Sequence, residues 1–175
     1  AGLVKASPDP VRQSAVATLG TIGNKDAVTL LAATAAERGA IRPSARASLY
    51  RLRGDHVDTE IVSSYGKTEL PVRLELLRAM DQRRIRSATP TLLSRLSEVE
   101  ENSERTEIAR VLRATATDAD LANLVESALT ASSNGERNEW ERTLSSLGLR
   151  RTSANGRAKE VLTALPNTSL SLIHI

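Results

Sequence analysis

The sequence predicts an all-α fold, an α-solenoid (α-α superhelix) of about five helical hairpins. Three observations predict it: an internal repeat with steps of 30 to 32 residues, two apolar stripes of helical spacing in each repeat, and a core that must be aliphatic. The chain has 175 residues, one Trp, two Tyr and no Phe, so Leu, Ala, Val and Ile fill the interior. Small aliphatic side chains suit closely packed helices better than sheets, whose strands favour aromatic and β-branched residues.

The repeat is anchored on an arginine. Arg12 in Pro10-Val11-Arg12 is followed by Arg42, Arg73, Arg105 and Arg137. Three residues after each comes Ala15, Ala45, Leu76, Ile108 and Trp140, and seven after comes Leu19, Leu49, Met80, Leu112 and Leu144. These offsets lie on one face of a helix. Nineteen after the arginine comes Leu31, Ile61, Leu92 and Leu124, and four further on Ala35, Tyr65, Leu96 and Ala128. Each unit therefore holds a second helix with its own stripe. In the fifth unit the second stripe comes late, at Val161, Leu162 and Leu165, after a loop near Asn155-Gly156. A hairpin of two such short helices cannot cover its own apolar face; stacked hairpins can, each touching only its neighbours.

The punctuation places helices near 10–22, 25–37, 42–53, 56–65, 71–80, 87–97, 103–115, 118–131, 135–147 and 156–165. Asp9 before Pro10 reads as a helix cap with Pro in the first turn, and Pro71 opens the third unit in the same way. Asn24, Asp55 and Asp118 fall in the turns inside units, where a side-chain oxygen can accept from the free amides of the next helix. Gly23, Gly39, Gly54, Gly66 and Gly135 fall at expected helix ends. The repeat units run about 9–38, 39–66, 67–98, 99–132 and 133–165. Residues 1–8 form an N-terminal segment, truncated or part of a preceding repeat. Residues 166–175 break the pattern and read either as a non-native tail or as the first strand of a following domain.

Within the first unit, Asp9-Pro10-Val11-Arg12, Ala15, Leu19-Gly20, Gly23-Asn24 and Ala27-Val28 resemble the short bacterial HEAT repeat, of the type also found in phycobilisome-lyase-like proteins. Pro71-Val72-Arg73 restarts the motif. Later units depart from it: Ile41-Arg42 lacks the Asp-Pro, and Glu104-Arg105 and Glu136-Arg137 carry Glu where the motif has Val. The resemblance covers about residues 9–165 and implies an antiparallel helix pair per unit, an armadillo-type right-handed stack, and a place within a larger bacterial protein. It says little about function, because such repeats serve many unrelated proteins.

Composition limits the chemistry. There are 24 basic and 21 acidic residues, for a formal net charge of +3, too mild for a general nucleic-acid coat. No Cys is present, so this chain supplies no thiol nucleophile, disulfide or Cys-ligated metal. The longest small-apolar stretch, Ala27 to Ala36, is far short of the ~20 residues that span a bilayer. No signal-peptide pattern stands at Ala1, and nothing selects cytoplasm or periplasm. His56 lies beside Asp55 and Asp58 with no further metal ligand in reach, and His174 is in the tail. No phosphate loop, nucleophile elbow or His-Glu metal motif occurs.

The expected function is accordingly a non-catalytic protein-interaction scaffold, its partner held on the face lined by the second helices, with no catalytic, metal or cofactor-binding residue. One alternative is nucleic-acid backbone binding through Arg38, Arg42 and Arg46 (spaced by four) with Arg51 and Arg53, and through Arg83, Arg84 and Arg86; no aromatic residues interleave them, which disfavours base stacking. Another is a lyase-like enzyme acting on a bound chromophore, which the lack of Cys and scarcity of His and Tyr disfavour. The arginine row is expected to bond turn carbonyls or turn Asp residues of neighbouring units. The acidic run Glu98, Glu100, Glu101, Glu104 and Glu107 is expected to favour a helix N-terminus, and Trp140 to sit in the core.

Overall fold

A computed structural model describes residues 9–150, and among these the chain is all-helical, with no strand. The first unit's leading helix α1 spans Asp9–Ile22. It is followed by α2 (Val28–Ala36), α3 (Ile41–Arg51), α4 (Val57–Tyr65), α5 (Leu70–Arg83) and α6 (Thr89–Arg95). Then come α7 (Asn102–Thr115), α8 (Leu121–Leu129) and α9 (Asn134–Arg150). The second helix expected in the fifth unit, with Val161, Leu162 and Leu165, lies outside the described residues, as do residues 1–8, the tail 166–175 and His174.

Three of the second helices begin later than the apolar pattern suggests. A single 3₁₀ turn precedes each: Lys25–Ala27 before α2, Arg86–Ala88 before α6 and Asp118–Asp120 before α8. The tighter turn lets the chain reverse with few linking residues. Asn24 caps the first of these turns, its side chain accepting from the Asp26 amide at 3.0 Å. At the third, Thr117 and Asp120 form a reciprocal capping box, in which Asp120 accepts from the Thr117 amide at 2.7 Å. Asp55 does not cap α4; the residue ahead of that helix is His56, in left-handed conformation with φ 65° and no side-chain cap bond. Gly39 and Gly54, at φ 117° and 130°, make the turns that only glycine takes without strain. Gly135 instead lies inside the first turn of α9.

The chain divides into two compact units, with the boundary inside α6 between Thr91 and Leu92. In the first unit α1 packs on α3, and α3 also meets α5. The second helix α2 packs on α3 and α5, and α4 packs on α5. First helices therefore lie against the next first helices, while second helices cover their flank. The core is aliphatic apart from Tyr65: Leu31, Leu49, Leu52, Ile61, Leu76, Leu77 and Met80 are all fully buried. The backbones of α1 and α3 approach closely at Gly20. A Cβ there would stand 2.6 Å from both the Cα and the Cβ of Ser48, so α1 and α3 meet with only the small Ser48 side chain between them.

In the second unit α9 packs on both α7 and α8. Leu92, Ile108, Val111, Leu112, Leu124 and Trp140 form its centre, all fully buried. The two stripes expected of the second helices are buried at every described position: Leu31, Ile61, Leu92 and Leu124, then Ala35, Tyr65, Leu96 and Ala128. On the first helices, Ala15, Leu19 and Leu144 are only half-buried. All three belong to α1 or α9.

Candidate functional site

The arginine row has a common local chemistry. The last carbonyls of a helix have no partner within it and need donors from elsewhere. Arg42 donates from Nε to the Glu37 carbonyl at 3.0 Å and from Nη2 to the Ala36 carbonyl at 3.2 Å, which finishes α2. Arg73 donates to the Thr68 carbonyl at 2.9 Å, in the turn after α4. Arg105 donates to the Leu96 carbonyl at 2.8 Å, just past α6. Each of these arginines leads its own helix and ties down the end of the second helix before it. Arg12 reaches forward instead, to the Glu37 carboxylate at 2.7 Å. Arg137 is exposed, and its guanidinium has no partner among the described residues.

Buried carboxylates accompany the row. Glu75, Glu107 and Glu139 each stand two residues after a row arginine, and all are buried. Three residues further on, Arg78, Arg110 and Arg142 pair with them at 2.6, 3.1 and 3.4 Å. Other guanidiniums come from the neighbouring first helix. Arg46 on α3 grips Glu75 on α5 bidentately, with both distances 2.6 Å. Arg113 on α7 meets Glu139 on α9 at 2.7 Å, and Arg110 approaches the same carboxylate at 3.5 Å. Burial alone would lower the affinity of Arg110 for its proton, but the charges of Glu107 and Glu139 and its hydrogen bonds to them raise it above the ordinary value. The recurring Glu-x-x-Arg at 75–78, 107–110 and 139–142 is the sequence signal of this device. It is visible only once the repeat register is fixed.

Glu136 is the most enclosed of these acids. It is fully buried and receives Arg105 Nε at 2.6 Å, the Trp140 indole at 3.2 Å and the Ser132 amide at 3.1 Å. Burial works to raise its pKa, but these hydrogen bonds and the charge of Arg105 outweigh it and hold the carboxyl below its ordinary value. A general base poised near neutral pH needs the opposite shift. As expected, the Glu98–Glu107 run opens a helix: Glu101 stands at the cap position of α7 and Glu104 in its first turn; Glu98, Glu100 and Glu101 are exposed, whereas Glu104 and Glu107 are buried.

Of the eight arginines read as candidate anion contacts, Arg51 ends α3 and Arg53 follows it, both exposed, and the other six fall into two groups. Arg42 and Arg46 are engaged as just described. Arg83 donates to the Tyr50 and Leu52 carbonyls at 2.8 and 2.7 Å and pairs with Asp58 at 2.6 Å, finishing α3. Arg38, Arg84 and Arg86 are exposed, with no side-chain partner among the described residues. The face expected for Arg38, Arg42 and Arg46 is broken, because α3 starts only at Ile41.

Two open grooves run beside second helices. In the first unit Thr29 and Ala33 on α2 face the segment from Gly66 to Arg73 around about 750 Å³. In the second, Asn123, Glu126, Ser127 and Thr130 face Leu93, Ser94 and Ser97 around about 520 Å³, with Arg105 at the edge. The second lining carries the hydroxyl groups of Ser94, Ser97, Ser127 and Thr130, whereas the first sets Thr29 and Thr68 beside the charged Lys67, Glu69 and Arg73. Among the described residues no group of three His, Asp or Glu side chains is placed to hold a metal ion, and no helix is long and apolar enough to cross a membrane. Comparison with protein-family models, curated proteins and solved structures finds no match to this chain.

Proposed function

We propose that the chain is a HEAT-like α-solenoid segment of a larger bacterial protein and serves as a non-catalytic scaffold for a protein partner. The observation that carries this reading is the division of labour between the two kinds of helix. First helices are joined to one another by carboxylate–guanidinium pairs, as Arg46 joins α3 to Glu75 of α5. Second helices bury one stripe and leave the grooves of both units open. The hydroxyl, amide and charged groups that line both grooves offer hydrogen bonds to a partner. Glu136 is held ionised by Arg105 and its other donors, an arrangement suited to cohesion more than to proton transfer.

Groove substitutions test this. Ala33→Arg and Asn123→Arg each place a long charged side chain into one groove from an exposed position, so the fold should tolerate them. Asn138→Arg makes the same change at an exposed position of α9 away from both grooves. In cross-linking capture from bacterial extract, a partner held by the unaltered chain should be lost with at least one groove variant and kept with Asn138→Arg. A partner that withstands both groove substitutions contradicts the proposal.

A further inference from the structure

Two turns of the first unit gather charge that the packing does not use. They are the turn after α3, residues 51–58, and the turn after α5, residues 83–88. Arg83 brings them together, since its guanidinium holds the Tyr50 and Leu52 carbonyls and Asp58 at once. The 3₁₀ turn Arg86–Ala88 also packs on α4. Between them opens a groove of about 490 Å³, lined in part by Tyr50, Arg51, Arg53, Asp58 and Arg83.

Arg83 and Asp58 neutralise each other. Arg53, Arg84 and Arg86 are exposed without a partner among the described residues. Among the described residues Arg51 makes only long contacts, to the Ala17 carbonyl at 3.4 Å and the Ser48 hydroxyl at 3.5 Å, and meets no carboxylate. Against these four guanidiniums stands the exposed Asp55. The surplus on two adjacent turns therefore equals the formal +3 of the whole chain. Backbone conformation singles out the same place. His56 and Arg84, at φ 65° and 53°, are the non-glycine residues with left-handed backbone among the described residues, one in each turn. Glycine would take either position with less strain, and at Arg84 the sequence keeps a cation there.

We propose that these two turns bind the phosphate backbone of double-stranded nucleic acid, independently of sequence. Arginine forks match phosphate oxygens, and uncompensated guanidiniums gain from release of the counterions around a duplex. An acidic protein partner would also bring apolar surface, and the exposed large apolar residues, Val11, Ile22 and Leu149, all lie outside these turns. A single strand would need exposed aromatic rings for its bases, and Tyr50 is half-buried.

Fluorescence anisotropy of the full chain with a labelled duplex, the matching single strand and labelled poly-glutamate tests the assignment. Four phosphate contacts give a log–log salt slope of about −3.6, so duplex affinity should fall about a hundredfold between 50 and 200 mM salt. The triple variant Arg53→Ser, Arg84→Gly, Arg86→Ser should bind at least tenfold more weakly at 50 mM, with the slope reduced to about −1. Arg84→Gly relieves the left-handed backbone, and matched thermal unfolding verifies that the variant is folded. The double variant Arg38→Ser, Arg137→Ser should bind like the unaltered chain. No duplex binding at 50 mM, full binding by the triple variant, or tighter binding of the single strand or of poly-glutamate overturns the proposal.

Discussion

At Glu136 a fully buried carboxylate takes three donors, and its cost of burial is met by Arg105, Trp140 and the Ser132 amide. Removing one member of such a group leaves the others uncompensated. Glu136→Ala should therefore cost about 3–5 kcal/mol of unfolding free energy at neutral pH, measured by denaturant titration. The pH dependence follows from the direction of the shift. The folded-state pKa lies below the unfolded one, so the stabilisation is complete above the unfolded value of about 4.3 and is lost as pH falls through the folded value. Acid titration should show the unaltered chain losing stability below about pH 4, with a shallower acid limb in the variant. An equally steep limb in both would mean that other carboxylates set the acid sensitivity. This residue was not legible beforehand as a partner of Arg105. It stands where the repeat motif has Val, and an acid at an apolar position reads as a departure until the neighbouring helix supplies the donor. Glu75 and Glu139 escaped notice because the arginines that enclose them include ones from another helix, and Glu107 was noticed only as part of the acidic run.

Among the elements, glycine shows how packing reverses a local preference. Alanine in place of a helical glycine ordinarily stabilises by about 1 kcal/mol. At Gly148 in α9 an added Cβ meets nothing within 4 Å, so Gly148→Ala should raise the thermal midpoint. At Gly20 in α1 the same atom would stand 2.6 Å from the Ser48 backbone. Gly20→Ala should then force α1 from α3 and cost about 1–3 kcal/mol. Equal effects at the two sites would mean that α1 and α3 do not meet this closely. The helices themselves were legible, because apolar residues at offsets of three, four and seven mark one buried face. Their starts were less so. The 3₁₀ turns before α2 and α6 bury Ala27 and Ala88 in the same apolar register as the helices they lead, whereas the one before α8 buries no residue; Arg83 lies three residues past the expected end of α5, where its guanidinium reaches the end of α3.

Across the whole molecule the row arginines are the most telling feature, since one residue type recurs while its partners change. Arg42, Arg73 and Arg105 each hold carbonyls at the end of the preceding second helix, Arg12 holds the Glu37 carboxylate, and Arg137 holds nothing among the described residues. The row was legible in the sequence, but the choice between turn carbonyls and turn acids as its partners was left open there and is made by the structure. The exception at Arg137 was not legible, because its equivalence rests on spacing alone. The most direct measurement is thermal and denaturant unfolding of the five single alanine variants along the row. Arg42→Ala, Arg73→Ala and Arg105→Ala should each lose about 1–3 kcal/mol, with Arg105→Ala the most damaging because Glu136 also loses its cation. Arg12→Ala should lose less, its pair being partly exposed, and Arg137→Ala should stay within about 0.5 kcal/mol of the unaltered chain. Uniformly neutral effects, or a loss at Arg137 as large as at Arg105, would contradict the assignment of the row to holding the helices together.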